Sequence, residues 1–562
     1  MLKRTPVLIN KKFTEFFIPT VLTAMANSIA MLVDSTIVNI TLGAEAFASV
    51  NLMTPVIQIY LAFSILFGMS CATIIAKIKG ENGNNTKNCD DLFSTFIAVM
   101  AVLSIALISL QLIFIDKIVF IITKDATLQV LFKSYYIPFI IGTPVTLLMT
   151  GGVYIIRTEG RPKFASAIIL AANILNLIFD IIFIVFLKLG IAGASIATIT
   201  GNAAGLIMFI SHFNRPDCSL HFSFKSLHSL QNFSHNLKEL LSYGASGALG
   251  AALITIRVFF LNSLVQTYGG ASALVAFSIV SLCQIVDSAF VAGACQTMVC
   301  ISSMLFGEKD TEGIKYSFLK ALKILLVSTL AITVLMEIFA PQIVSVYGMS
   351  HDLAQSTGIE AVRICALMFP TDALTFLGMY HYISVGKNKL ATAVSILNGV
   401  AFIIPLGLIL SKAAGLKGVW ISISLAQLLT LAFVFFAGLK LLRNKKLSLE
   451  KSDNDILSFS LNSSSMPDNM RNELEEKIHA YNLETGVSEK TIDDDSILAL
   501  FNCLDEIDLA PYENGAKAKD SDIRICKDTI TVKNIGAEIT PVHSEAVQIS
   551  KVLGINQISI TL

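Results

Sequence analysis

The sequence predicts an all-α polytopic membrane protein. Twelve transmembrane helices form two six-helix bundles related by an internal repeat, and a small α+β cytoplasmic domain follows at the C-terminus. Three observations carry this reading. The 562-residue chain is 54% hydrophobic and only 15% charged, with a mean hydropathy of +0.70. Its apolar runs reach the roughly 20 residues needed to cross a hydrocarbon core about 30 Å thick. The apolar part is also written twice. LGAEAFASVN (42–51) returns as GGASALVAFS (269–278), EGRPK ending at Lys163 returns as VGKNK ending at Lys389, and LGIAG (189–193) returns as AGLKG (414–418). Finally, the zero formal net charge conceals a split. Residues 1–446 carry 31 Lys+Arg against 20 Asp+Glu, and residues 447–562 carry 10 against 21.

Twelve spans follow in order, at about 14–37, 47–77, 92–115, 131–155, 163–187, 190–213, 238–265, 272–302, 316–340, 357–383, 389–411 and 415–441. The long connection at 214–237 separates the sixth from the seventh. The chain therefore divides into a first membrane repeat (1–213), a cytoplasmic inter-repeat loop (214–237), a second membrane repeat (238–446) and a tail (450–562). The first span is retained, because no small-residue cleavage site closely follows a short apolar core. Basic residues in short loops set the orientation. One side carries Lys11, Lys12, Lys77, Lys79, Arg157, Arg161, Lys163, Arg215, Lys387, Lys389 and Lys440, among others. The opposite side carries Lys117, Lys124, Lys133, Lys188, Lys412 and Lys417. Both ends of the membrane body, and the tail, are expected in the cytoplasm of a prokaryotic cell. Pro19, Pro144, Pro370 and Pro405 are expected to kink their spans.

In the tail, ILSFSL (456–461) alternates like a strand, and 467–483 reads as an amphipathic helix behind Pro467. A second helix is expected at 496–507, a hairpin at DIRIC (522–526) and TITVKN (529–534), and a last strand at 558–562. The nine cysteines are scattered without a CxxC pair, so neither a disulfide framework nor a metal site is expected. Nothing in the charge pattern suggests a nucleic-acid partner.

Duplicated membrane units point to transport, with substrate and ions handled near the midplane. A charge at the centre of a span costs about 2.5–3.5 kcal/mol on insertion scales, so such residues mark function or a buried pair. Asp34 lies nine residues before Gly43, Asp180 ten before Gly190, and Thr198 eight after it. A rise of 1.5 Å per residue puts all three about 12–15 Å below the outer helix ends. Asn176, four residues before Asp180, shares its helix face. These four oxygen-bearing groups could bind Na⁺ or share a proton. At the repeat offset they correspond to Leu261, Ala401, Pro405 and Ile423, which suggests one specialised site in the first half. Asp372 follows Pro370 in span 10 and is a second candidate proton or substrate site. Arg257 and Asp287 are read as a structural intramembrane pair.

Three segments carry a family resemblance: 16–56 with VD and LGAEA, 155–199 with RTEGRPK, NLIFD and LGIAGASIAT, and LFGEKD at 305–310. Over roughly residues 10–445 the chain resembles the multidrug and toxic compound extrusion (MATE) family. The resemblance implies two six-helix lobes around a central cavity, with alternating access. It also implies export of organic, cationic or amphiphilic compounds driven by Na⁺ or H⁺ influx, with neither enzymatic activity nor a bound cofactor. Asp34, Asn176, Asp180 and Thr198 match the family's first-half cation site, and Asp372 resembles an acid used in one branch. Two departures stand out. Ile383 occupies the second-copy position of Arg157, and Arg257 is the only charge in span 7, where that branch has an acid. The DIRI hairpin and the VLGINQISI ending resemble the histidine-kinase-like ATPase domain of anti-sigma factors. Asn502, Glu506 and Asn534 depart from its ATP-site pattern. The resemblance implies a degenerate domain that serves regulation or a cytoplasmic protein partner. A lipid-linked precursor flippase, or a signalling protein with the tail as output, are the competing classes.

Overall fold

The computed structural model describes residues 5–82, 86–215, 218–224, 230–346, 352–443, 455–461, 471–478, 500, 520–526, 529–535, 547–552 and 555–561. The first repeat contains α1 (Val7–Leu42), α2 (Ala44–Asn51), α3 (Thr54–Ser64), α4 (Ser70–Asn82), α5 (Thr86–Ile113), α6 (Ile115–Ile122), α7 (Ala126–Ile141), α8 (Thr143–Thr158), α9 (Pro162–Asp180) and α10 (Ile191–Phe213). The second contains α11 (Leu230–Gly307), α12 (Thr311–Val346), α13 (Asp352–Ala366), α14 (Met368–Ser384), α15 (Asn388–Ile396) and α16 (Ile403–Arg443). Among the described residues, ten helices are long and apolar enough to cross a membrane, or eleven when α7 and α8 count as one bent span.

The duplication is visible in the backbone. Glycine adopts positive φ at little steric cost, whereas other residues are strained there. Gly43 (φ 89°) ends α1, and Gly270 (φ 64°) breaks α11 at the matching place. Gly160 (φ 80°) matches Gly386 (φ 70°), and Gly190 (φ 62°) matches Gly415 (φ 57°), which breaks α16. The bend between α7 and α8 at Gly142 recurs as the break between α13 and α14 at Leu367. The α7–α8 bend is 62°. Its cause is local: Pro144 supplies no backbone N–H and sits in the first turn of α8, where that loss is tolerated.

The two repeats meet closely at the end that carries Lys77 and Lys79. Ile9, Phe13 and Phe16 of α1 join Cys295, Met298, Met304 and Leu305 of α11 in one buried apolar cluster. Backbones nearly touch there. A Cβ built on Gly80 of α4 would lie 2.1 Å from the Met304 carbonyl oxygen, and one on Gly307 would lie 2.1 Å from that of Lys77.

The tail contains a five-stranded antiparallel sheet, β1 (Asp455–Leu461), β2 (Asp520–Cys526), β3 (Thr529–Ile535), β4 (Val547–Val552) and β5 (Ile555–Thr561), in the order β1-β2-β3-β5-β4. A helix spans 471–478. The expected strand, hairpin and last strand correspond to β1, β2–β3 and β5. The second expected helix lies outside the described residues except for Leu500. Side chains alternate across a strand. One face buries Phe459, Ile523, Ile525, Ile530 and Val532. The other presents Ser458, Ser460, Arg524 and Lys533 to the membrane body. Arg524 donates to the carbonyls of Glu308 (2.7 Å) and Lys309 (3.0 Å) at the end of α11. Lys533 pairs with Glu308, both side chains being largely buried. The backbone N–H of Thr5 donates to Ser460 Oγ at 3.0 Å.

Gly80→Val should push α4 off α11. Overpacking of this kind costs about 1–3 kcal/mol, and a lowered thermal midpoint of the detergent-solubilised protein would report it. An unchanged midpoint would contradict the close approach.

Candidate functional site

The structure brings Asp34, Asn176, Asp180 and Thr198 together. Asn176 and Asp180 lie one turn apart on α9, so the amide Nδ2 donates to Asp180 Oδ2 at 3.2 Å. The same amide donates to Thr198 Oγ1 of α10 at 3.3 Å. The Thr198 hydroxyl proton goes to the Ala194 carbonyl at 3.1 Å, leaving its lone pairs to face the cluster. Asp34 reaches across from α1 into hydrogen-bonding contact with the Asp180 carboxyl. Asp180 is fully buried, and a π-helical turn, Ile181–Phe186, begins directly after it. Such turns recur at functional sites because the wider ring redirects the side chains that follow.

A fifth member, Tyr135 of α7, was not among the residues singled out from the sequence. Its side chain is buried beside Thr198 and faces both carboxyl groups. The adjacent pair Tyr135 and Tyr136 in an apolar span was the one available signal. Tyr136 belongs to a different network, donating to Gln111 Oε1 at 2.7 Å.

Two carboxyl groups in direct contact must share a proton or hold a cation between them. Asp34 Oδ1 and Asp180 Oδ1 are both buried and accept no hydrogen bond among the described residues. These oxygens, with the hydroxyls of Thr198 and Tyr135, are hard-oxygen groups of the kind that suit Na⁺ or a proton, and the Asn176 amide orients them.

The second repeat holds a different cluster. Arg257 does not pair with Asp287. Its Nη1 donates to the Asn398 side-chain oxygen at 3.3 Å and to the Asn398 carbonyl at 3.4 Å. Its charge lies beside Asp372, which has Asn398 and Gln427 as polar neighbours. Asp287 faces Asp372 instead. The reason is depth. Arg257 lies thirteen residues before the Gly270 break and Asp287 seventeen after it, so they differ by about one turn, ~6 Å. Asn398 lies in another π-helical turn, Leu397–Ala401.

At the basic end, Glu159, His212 and Cys218 place potential ligand atoms within 4.8 Å of one another. Glu159 is already engaged there: it pairs with Lys79 and accepts from the Ser219 backbone N–H at 3.1 Å. Burial alone would raise the Glu159 carboxyl, but the Lys79 charge and the Ser219 hydrogen bonds outweigh it and hold the group below its ordinary value. Burial also pushes the Cys218 thiol up to about 11.

Residues 19–182 match the MatE family model. Over 431 residues the chain is 23% identical to the Multidrug export protein MepA of Staphylococcus haemolyticus, covering 74% of this chain and 90% of that protein. It is 22% identical over 407 residues to an FAD transporter of Shewanella oneidensis, covering 69% and 85%. An outward-facing multidrug resistance MATE family transporter of the MOP superfamily superposes with a TM-score of 0.72 at 21% identity, covering 78% of this chain and 97% of that one. The fold is that of the MATE transporters. The similarity to characterised transporters spans most of the MATE-like body, and the closely packed α9–α10 pair that holds the carboxyl cluster lies within it.

Because the Glu159 carboxyl is held low in the folded state, its contribution is complete above the ordinary glutamate range and is lost as pH falls through the lowered value. Glu159→Gln should flatten the acid limb of a stability-versus-pH profile. Lys79→Met leaves a buried carboxylate unpaired and should cost about 3–5 kcal/mol. A Lys79→Met thermal midpoint equal to wild type at pH 7 would contradict this account.

Proposed function

We propose that the protein is a secondary active exporter of the MATE type. It would carry organic compounds out of a prokaryotic cell in exchange for Na⁺ or H⁺. The observation that carries this reading is the contact between the Asp34 and Asp180 carboxyls inside a duplicated membrane body. Asp34, Asn176, Asp180 and Thr198 would bind the coupling ion, with Tyr135 closing the set. Occupancy of this site would bias the two repeats between inward- and outward-open arrangements, since a ligand shifts a conformational equilibrium by its differential affinity for the two states. The clustered apolar contacts at the basic end fit an arrangement closed on that side.

The apolar helical segment Asn388–Lys440 is 53 residues long and breaks at Ala414–Gly415. Unbroken it would reach ~80 Å, far more than the ~30 Å of a hydrocarbon core. Read as two spans, and with α7–α8 as one, it makes the total twelve. The concentration of Lys and Arg in the loops on one side supports a cytoplasmic position for both ends of this body, residues 1–213 and 238–446. Residues 450–562 would hang there as a regulatory or partner-binding domain, and their docking on α11 supports that role. Asp372, beside Arg257, Asp287 and Gln427, would form a second polar centre that tunes the opposite lobe.

Asp34→Asn and Asp180→Asn should each lower gradient-driven efflux from proteoliposomes at least tenfold while the protein still inserts. Na⁺ and H⁺ gradients imposed separately would name the ion. Undiminished efflux in both variants would remove this site from the mechanism.

A further inference from the structure

The repeats meet around two cavities with different linings. The inner one, of about 260 Å³, is lined by Thr20 and Asn27 of α1, Tyr154 and Arg157 of α8, Asn202 of α10 and Gln296 of α11, among others. Arg157 is the only charged residue in that lining, and the rest of its polar groups are amides and hydroxyls. Neither Asp34 nor Asp180 reaches it. Arg157 is 6% exposed. Its Nη1 donates to Gln296 Oε1, a bond from the first repeat to the second. Its guanidinium lies 5.9 Å from the centre of the Tyr154 ring. Its Nε is buried and has no acceptor among the described residues. No carboxylate pairs with it among those residues.

A buried charge is ordinarily paired, because removal from water is costly unless a counter-charge and hydrogen bonds replace the hydration. Arg157 has a neutral acceptor, an aromatic face and an unused donor, but no counter-charge. The missing component is an anionic oxygen group, which a guanidinium binds through parallel hydrogen bonds. The cavity is near the lower limit of small-molecule sites, about 300 Å³, so it suits a head group rather than a whole drug-sized molecule. The outer cavity, of about 570 Å³, supplies the remainder. Leu52, Pro55 and Ile121 of the first repeat face Ile254, Val258 and Phe259 of the second, and no charged residue lines it. Gln58 lines the outer cavity and Leu61 the inner one. They are one turn apart on α3, so the two cavities adjoin along that helix.

We propose that the substrate class is an amphiphilic organic anion, its carboxylate or phosphate on Arg157 and its apolar body in the outer cavity. This rests on the export reading and names its cargo. A cationic substrate would instead bring like charge to Arg157 with no acid in the lining to offset it.

The test is equilibrium binding, by fluorescence anisotropy, of two xanthene dyes to the purified full-length protein in nanodiscs: the anion carboxyfluorescein and the cationic ester rhodamine 6G. Wild type and Asp34→Asn should both prefer carboxyfluorescein. Arg157→Gln should weaken it at least tenfold and improve rhodamine 6G, and Arg157→Lys should fall between. Gln296→Glu, which leaves Arg157 in place and supplies an internal counter-charge, should also weaken the anion tenfold; it decides the matter if Arg157→Gln does not fold. Tighter binding of rhodamine 6G by wild type, or anion affinity within twofold of wild type in the folded Arg157→Gln or Gln296→Glu protein, would overturn the proposal. Binding requires no gradient. Anion binding without gradient-driven efflux would therefore refute export alone, and efflux without anion binding would refute this substrate class alone.

Discussion

Inside an apolar bundle, a polar group that cannot reach water must find its partner on another helix. That constraint organises this molecule. Asp34 on α1 meets Asp180 on α9, and Thr198 on α10 accepts from the amide of α9 while Tyr135 of α7 lies beside it. These bonds fix how four helices of the first repeat face one another. In the second repeat, Asp372, Asn398, Gln427 and Arg257 do the same for α14, the turn after α15, α16 and α11. The two repeats share a backbone plan and differ in which helices their polar groups tie together. The first places the Asp34 and Asp180 carboxyls side by side.

Much of the architecture was legible in the sequence because its determinants are local. A glycine required at positive φ leaves a mark at one position, and three such marks recur at the repeat offset: Gly43 with Gly270, Gly160 with Gly386, Gly190 with Gly415. The depth arithmetic that placed Asp34, Asp180 and Thr198 at one level worked for a similar reason, since helical rise is constant and each residue is counted from a sharp break. Asn176 followed from helical spacing on α9.

What depends on the choice of neighbour was not legible. Opposite charge in neighbouring spans suggests Arg257 with Asp287, but the choice of partner depends on which helices face each other, and the Arg257 hydrogen bonds go to Asn398. Tyr135 carries no motif and enters the cluster only because α7 packs on α10. The single guanidinium in the inner cavity was visible as a loop motif, yet its lack of a counter-charge is a property of the packed chamber. The tail's sequence pattern predicted four of its five strands, β4 being the exception, while the use of the polar face against α11 required the assembled molecule.

Among the described residues, hydrogen bonds join the sheet to the membrane body at Thr5 and along 308–312. Thr5, at the start of the first repeat, is held through one hydroxyl. Glu308 and Lys309, at a turn of the second, are held by a buried charge pair and two guanidinium hydrogen bonds. A neutral hydrogen bond contributes about 0.5–1.5 kcal/mol and one to a charged group about twice that. Any motion that carries residue 5 away from residue 308 therefore has to loosen the sheet at one of these attachments. The sheet thus bridges the two repeats, and a change in its seating would be an outward sign of the rocking.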